Sequence, residues 1–145
     1  MFRRVLLCYD GSAAGRKALK RGAELAKLSK AEVYVLSVFP EAAHSAAVWA
    51  VAAGSTCLVD PAAEDESSAR ETTRYLKELG VDGHVFHAHG NVIDEIAACA
   101  QKVSADLVVV GHYPKPSGGR WWSGSDRGAL AERVNCCVLI AVSDQ

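Results

Sequence analysis

Residues 107–125 read LVVVGHYPKPSGGRWWSGS, and the order of events in this stretch decides the fold. Leu107-Val108-Val109-Val110 is an apolar run without alternation, the pattern of a strand covered on both faces. The run stops at Gly111, and a loop rich in Gly, Pro and Ser leaves the sheet. Gly124-Ser125 then delivers the chain to a helical pattern. Such a junction suits an anion, because the first helical turn carries unpaired N–H groups and the positive end of the helix dipole.

Moving outward from this stretch, the same alternation of strand and helix recurs. Val5-Leu6-Leu7-Cys8 is a second unalternated run, ending at the turn Asp10-Gly11-Ser12. A helix follows from about Ala13 to Ser29. It places Ala18, Gly22, Ala23 and Ala26 on one side with Leu19 and Leu25 flanking, and keeps Lys17, Lys20, Arg21, Glu24 and Lys27 wet. Val33 to Phe39 is the next strand, closed by Pro40, which completes a βαβ unit. Residues 42–59 are uncharged and approach the length of a membrane span. They are mostly Ala, Ser and Gly, too weakly hydrophobic for one, and read as a loop or loose helix.

Asp60-Pro61 starts a helix that runs to Gly80 and is predicted to bury Ala69, Thr73, Leu76 and Leu79. His84 to His89 alternates, the mark of an edge strand. Gly90-Asn91 opens a helix whose apolar stripe is Val92, Ile93, Ile96, Ala97, Ala100 and Val103. Beyond the opening stretch come a helix from Ser125 to about Val134 and a last strand, Val138 to Val142. Five strands alternating with four helices predict an α/β domain with a mainly parallel sheet. No repeat or linker interrupts it, so residues 1–145 are read as a single domain.

The chain has 145 residues, half of them apolar, and a formal net charge of −1. That balance gives no global electrostatic case for nucleic acid or an anionic membrane, and neither is expected as a partner. The five cysteines form no CxxC pair, and their odd number without a secretion signal fits a reducing cytoplasm. Cys8 and Cys137 lie in or beside apolar runs and are predicted to pack as small hydrophobes. His87 and His89 share a strand face, but no third ligand accompanies them. They read as exposed edge-strand histidines, and no metal site is assigned. Trp121-Trp122 reads as packing beneath the loop and on the following helix.

Catalysis finds no support. No Ser-His-Asp spacing, paired-carboxylate pattern or metal motif stands out, and Lys115 does not lie in a GxxxxGK[ST] loop. No catalytic residue is nominated, and slow incidental hydrolysis of a bound ligand is the most that is left open. A ligand in a parallel sheet is expected beyond the carboxyl ends of the strands, where the winding reverses. Asp10-Gly11-Ser12 and Gly111 are the two strand ends built for close approach, and a reversal between them would place both on one crevice.

These pieces resemble the universal stress protein family over essentially the whole length. The resemblance is carried by Tyr9-Asp10-Gly11-Ser12, Gly90, residues 108–112 (VVVGH), Gly124-Ser125 and the ending Cys136 to Val142. Nucleotide-binding members carry Gly, two residues, Gly, nine residues, then Gly-Ser or Gly-Thr. Gly111 and Gly124-Ser125 match the ends at the right separation, and Pro114 stands where the middle glycine would be. The resemblance implies a three-layer open parallel sheet of five strands in the order 3-2-1-4-5, with helices on both faces. It also implies a homodimer through the last strand (Val138, Leu139, Ile140).

By the same resemblance, Asp10 would meet the ribose or adenine and the Val38 backbone the adenine. Gly111, Gly124 and Ser125 would meet the phosphates, with Gly11, Ser12 and His112 in the same crevice. Two features act against tight binding. Pro114 supplies no N–H and fixes φ. Asp126 sets a carboxylate beside the phosphates, where like charges at about 5 Å repel by roughly 3 kcal/mol at an effective dielectric near ~20. A bridging Mg2+ would reverse that sign, and Lys115 and Arg120 offset part of it. The expectation is a cytoplasmic regulatory module of the stress response that binds ATP with weakened affinity. The alternative is a dimeric interaction protein of the same fold that holds no nucleotide.

Overall fold

A computed structural model of the chain describes residues 1–39, 61–112 and 126–142. Its strands are β1 (Arg4–Cys8), β2 (Glu32–Phe39), β3 (Gly83–His89), β4 (Leu107–His112) and β5 (Cys137–Val142). They form one sheet in the order β3-β2-β1-β4-β5, and every neighbouring pair is parallel. Four helices lie among the described residues: α1 (Ala13–Ser29), α2 (Pro61–Glu78), α3 (Val92–Lys102) and α4 (Asp126–Arg133). The two unalternated runs take the central positions their composition demands. Val5, Leu6 and Leu7 of β1 and Val108 and Val109 of β4 are wholly buried.

Each face of the sheet has its own core. Val5, Leu7, Val33, Val35, Leu107 and Val109 point toward α1 and α2, where Ala18, Leu19, Ala23, Ala26 and Leu76 meet them. Leu6, Cys8, Leu36, Val38, Val108 and Val110 point the other way, onto Ile96, Cys99 and Ala100 of α3 and Leu130 of α4. The result is three layers, helices over sheet over helices, with the strand order the family resemblance implies. The small-residue side of α1 is what lets it lie close to the sheet. A Cβ on Gly22 would collide with the Leu7 side chain and come within 3.4 Å of Val109.

Both edges are distinctive. On β3, His84 and Phe86 stack against Tyr34 of β2, with ring centroids 5.3 and 6.1 Å apart. On β5, Leu139, Ile140 and Val142 remain exposed. β4 is also longer than the apolar run that stops before Gly111, because Gly111 and His112 continue to pair with Ala141 and Val142.

Three details differ from the sequence reading. Cys137 is exposed rather than packed, because it opens an edge strand with a neighbour on one side only. His87 is half-buried, with both ring nitrogens shut off from solvent, because α2 covers its side of the edge strand. In α2 it is Thr72, four residues before Leu76, that is fully buried. Thr73 is half-buried and turns its hydroxyl back to the Ala69 carbonyl at 2.8 Å. The readings of residues 42–59 and of Trp121-Trp122 lie outside the described residues.

Candidate functional site

The winding reverses between β1 and β4, which are hydrogen-bonded neighbours although two strands separate them in the chain. Leu7 pairs with Val109, so two residues further on Tyr9 comes level with Gly111. On the other side Cys8 pairs with Leu36, which brings Val38 level with Asp10. The Tyr9 N–H donates to the Leu36 carbonyl at 3.0 Å, holding the chain in the sheet up to the start of the turn.

The turn itself is a short relay. Gly11 takes a φ of 78°, a conformation open to glycine at little cost. Its fold lets Asp10 Oδ1 accept from the Ser12 N–H at 2.9 Å and from the Ser12 hydroxyl as well. Ser12 in turn is the N-cap of α1, its Oγ accepting from the Gly15 N–H at 3.0 Å. The Asp10 carboxylate is thus fixed to the helix start through both the N–H and the hydroxyl of Ser12.

Gly111 closes this arrangement from the β4 side. A Cβ there would stand 2.5 Å from the Ala14 carbonyl oxygen and 3.0 Å from the Gly15 nitrogen. The strand end and the first turn of α1 therefore touch through their backbones. Gly15 does the same from within the helix, since a Cβ on it would stand 2.5 Å from Asp10 Oδ1 and 2.9 Å from the Tyr9 ring. Sequence reasoning missed Gly15. Its only signal is a glycine in the first turn of a helix, where it lowers helix propensity and so needs another reason to be present.

The turn sets the Asp10 carboxylate against the helix start, with the Arg16–Glu71 ion pair beside it. The first turn of α1 has no acidic residue, and Arg16 follows it directly. Arg16 Nε donates to the Tyr9 hydroxyl at 3.3 Å, and its other end pairs with Glu71 of α2 at 3.0 Å. The Tyr9 contact, with Glu71 adding to it, pushes the guanidinium above its already high ordinary value.

The structure brings Asp10, Gly11, Ser12, Val38, Gly111 and His112 to one end of the sheet, around the β1 and β4 termini. Asp126 is the first residue of α4. Gly124 and Ser125 lie outside the described residues. No cluster of three or more His, Cys, Asp or Glu able to hold a metal exists among the described residues, and none of the described helices is long and apolar enough to cross a membrane. A separate groove of about 540 Å³ runs between α3 and α4, lined by Gln101, Ser104, Arg133 and Cys136. It opens near the starts of β4 and β5, away from these turns.

Comparison with known proteins agrees with this architecture. The family model described as "Universal stress protein family" matches residues 1–141. Universal stress protein MJ0531 of Methanocaldococcus jannaschii is 28% identical over 142 residues, covering 97% of this chain and 82% of that protein. Among solved structures, a universal stress protein in complex with cAMP superposes with a TM-score of 0.67 at 20% identity, over 99% of this chain and 98% of the other. The universal stress protein from Archaeoglobus fulgidus in complex with dAMP gives 0.61 at 19% identity, over 97% of each chain. With the strand order, the reversal at β1 and β4 and a family match over nearly the full length all in agreement, this chain belongs to the universal stress protein family.

Proposed function

We propose that this chain is a regulatory module that binds ATP in the crevice between the ends of β1 and β4, with affinity weakened by Pro114 and Asp126. The observation that carries the reading is the backbone contact of Gly111 with Ala14 and Gly15, which joins the Asp10 turn and the start of the 111–125 loop into one wall. Asp10 and the Val38 backbone would hold the nucleoside. Gly111, His112, Gly124 and Ser125 would hold the phosphates near the N-terminus of α1, with Gly11 and Ser12 shaping the turn. Mg2+ would sit between Asp126 and the phosphates. The cAMP and dAMP complexes of related proteins support an adenine nucleotide as the class of ligand. No catalytic group is assigned, and the protein is taken to act in the cytoplasm.

Calorimetric titration with ATP, with and without Mg2+, tests this on the parent chain and on the Pro114→Gly, Asp126→Val double variant. The double variant should bind at least about tenfold more tightly, since removing a like charge at about 5 Å is worth up to roughly 3 kcal/mol. Absence of binding by both proteins refutes the crevice assignment.

A second reading, an interaction protein that holds no nucleotide, is favoured by the exposed apolar edge of β5. Leu139 is 36%, Ile140 38% and Val142 49% exposed, on the strand that ends the sheet among the described residues. Both readings make the chain a homodimer through Val138, Leu139 and Ile140, so light scattering of Ile140→Asp should report a monomer. Nucleotide released by acid from the freshly isolated protein separates the two.

A further inference from the structure

The crevice presents its groups in the order of the sheet. Val38 lies in β2, Asp10 follows β1 and Gly111 lies in β4, and these three strands are neighbours in that order. Val38 is level with Asp10, and Tyr9, one residue before Asp10, is level with Gly111. Adjacent strands stand about 4.8 Å apart. A nucleotide laid across these ends, with its base at the Val38 backbone and its phosphates at Gly111, has its sugar over Asp10. The base already has a backbone partner in that arrangement, so the carboxylate is left to read the sugar hydroxyls.

That carboxylate does not face the sugar with both oxygens free. Oδ1 accepts from the Ser12 N–H at 2.9 Å and from the Ser12 hydroxyl, which occupies both of its lone pairs. Ser12 is itself held in place, because its Oγ accepts from the Gly15 N–H at 3.0 Å. The helix also shuts Oδ1 in, since a Cβ on Gly15 would stand 2.5 Å from it. Among the described residues, the hydrogen bonds to this carboxylate all end on Oδ1 and leave Oδ2 to a ligand. A carboxylate oxygen only accepts, so Oδ2 calls for a donor. The two hydroxyls of a ribose reach one oxygen only by sharing it, in bent bonds that are each weaker than a single straight one. The second hydroxyl therefore adds little to the first.

Resting on the nucleotide reading above, we propose that the crevice reads a single sugar hydroxyl through Asp10 Oδ2, and that either hydroxyl of the ribose serves. The two hydroxyls sit on adjacent carbons, so a small turn of the sugar exchanges one for the other. The site requires one of them and not both, which makes ribonucleotides and deoxyribonucleotides alike its ligands. Gly15 makes this possible by giving Oδ1 room against the helix.

Equilibrium titration of the full chain with ATP, 2′-deoxyATP, 3′-deoxyATP and 2′,3′-dideoxyATP, all with Mg2+, tests the proposal. The first three should bind within about threefold of one another, and the dideoxy form at least about tenfold more weakly, the loss of a hydrogen bond to a charged acceptor. A single deoxy form as weak as the dideoxy form would overturn the proposal, because one particular hydroxyl would then be required. A dideoxy form that binds as tightly as ATP would overturn it as well, since Asp10 would then read no hydroxyl. In Asp10→Ala the four affinities should converge on that of the dideoxy form. A dideoxy penalty that survives in this variant would place the hydroxyl contact on another residue and refute the role of Oδ2. If none of the four binds the parent chain, the crevice reading itself fails and this inference falls with it.

Discussion

Gly111 on β4 and Ala14 in the first turn of α1 meet without any side chain between them, with 2.5 Å separating the Ala14 carbonyl oxygen from where a Cβ on Gly111 would stand. Both partners are backbone, and neither can swing aside. Gly111→Ala should therefore destabilise the fold by about 1–3 kcal/mol, read as a lower midpoint in urea with an unchanged slope. Gly128→Ala is the matched control. Among the described residues nothing lies within 4 Å of a Cβ there, and the position is exposed in the first turn of α4, so this change should stabilise by roughly 0.5 kcal/mol.

Ser12 serves two masters, donating to Asp10 and accepting from Gly15. Ser12→Ala removes the helix cap and leaves Asp10 with only the backbone N–H of residue 12. The expected loss is about 1 kcal/mol by thermal or chemical unfolding. Ser12→Asn should restore most of it, since asparagine caps as well as serine.

Helix α3 ends in a turn that its residue type does not favour. Ser104 sits at a φ of 52°, with its N–H on the Gln101 carbonyl and the Ala105 N–H on the Ala100 carbonyl. That is the left-handed cap usually filled by glycine. Ser104→Gly should raise stability by about 0.5–1 kcal/mol, the relief of left-handed strain reduced by the greater freedom of glycine in the unfolded chain. Differential scanning calorimetry of the pair would show it as a higher Tm.

Cys8 gives a pH dependence with a definite sign. Burial holds its thiol well above the usual value of 9.0, and Cys99 and Cys136 add to the effect. Above that usual value the unfolded chain releases the proton while the folded protein keeps it. The unfolded state then binds fewer protons, and stability falls as pH rises. The contribution is about 1.4 kcal/mol for each pH unit above roughly 9, until the folded thiol itself ionises. Unfolding free energies of the parent and Cys8→Ala between pH 8 and 10.5 should diverge in slope by that amount. Parallel curves would show that the thiol titrates normally.

The parts of the fold that were readable in advance are those where burial has one cause. The runs at residues 5–8 and 107–110 are apolar without alternation because both faces of a central strand are covered, and the turn signals that bound them separate them from a buried helix. The turns at Asp10 and Gly111 were readable because each ends such a run. The contribution of Gly15 was not, because a glycine that makes room for Asp10 carries no periodic signal. Thr72 and Thr73 differ by 100° around a helix axis, and sequence alone assigned the buried position to Thr73. His87 was mistaken for a solvent-facing residue because nothing in its strand reveals that a helix covers that edge. Phosphate-side contacts expected of Gly124 and Ser125 depend on a segment outside the described residues.

The collision that a methyl group on Gly22 would make with Leu7 has a consequence for how this protein can change over generations. The gap between α1 and the sheet is set by one small residue facing one large one. Enlarging the first while keeping the second requires the Leu7 methyl to turn aside or the helix to lift, and with the helix would go the capping serine and the aspartate it steadies. A larger residue at position 22 is thus best accommodated by a smaller one at position 7, so that substitutions at the floor of the molecule are coupled to geometry at its rim.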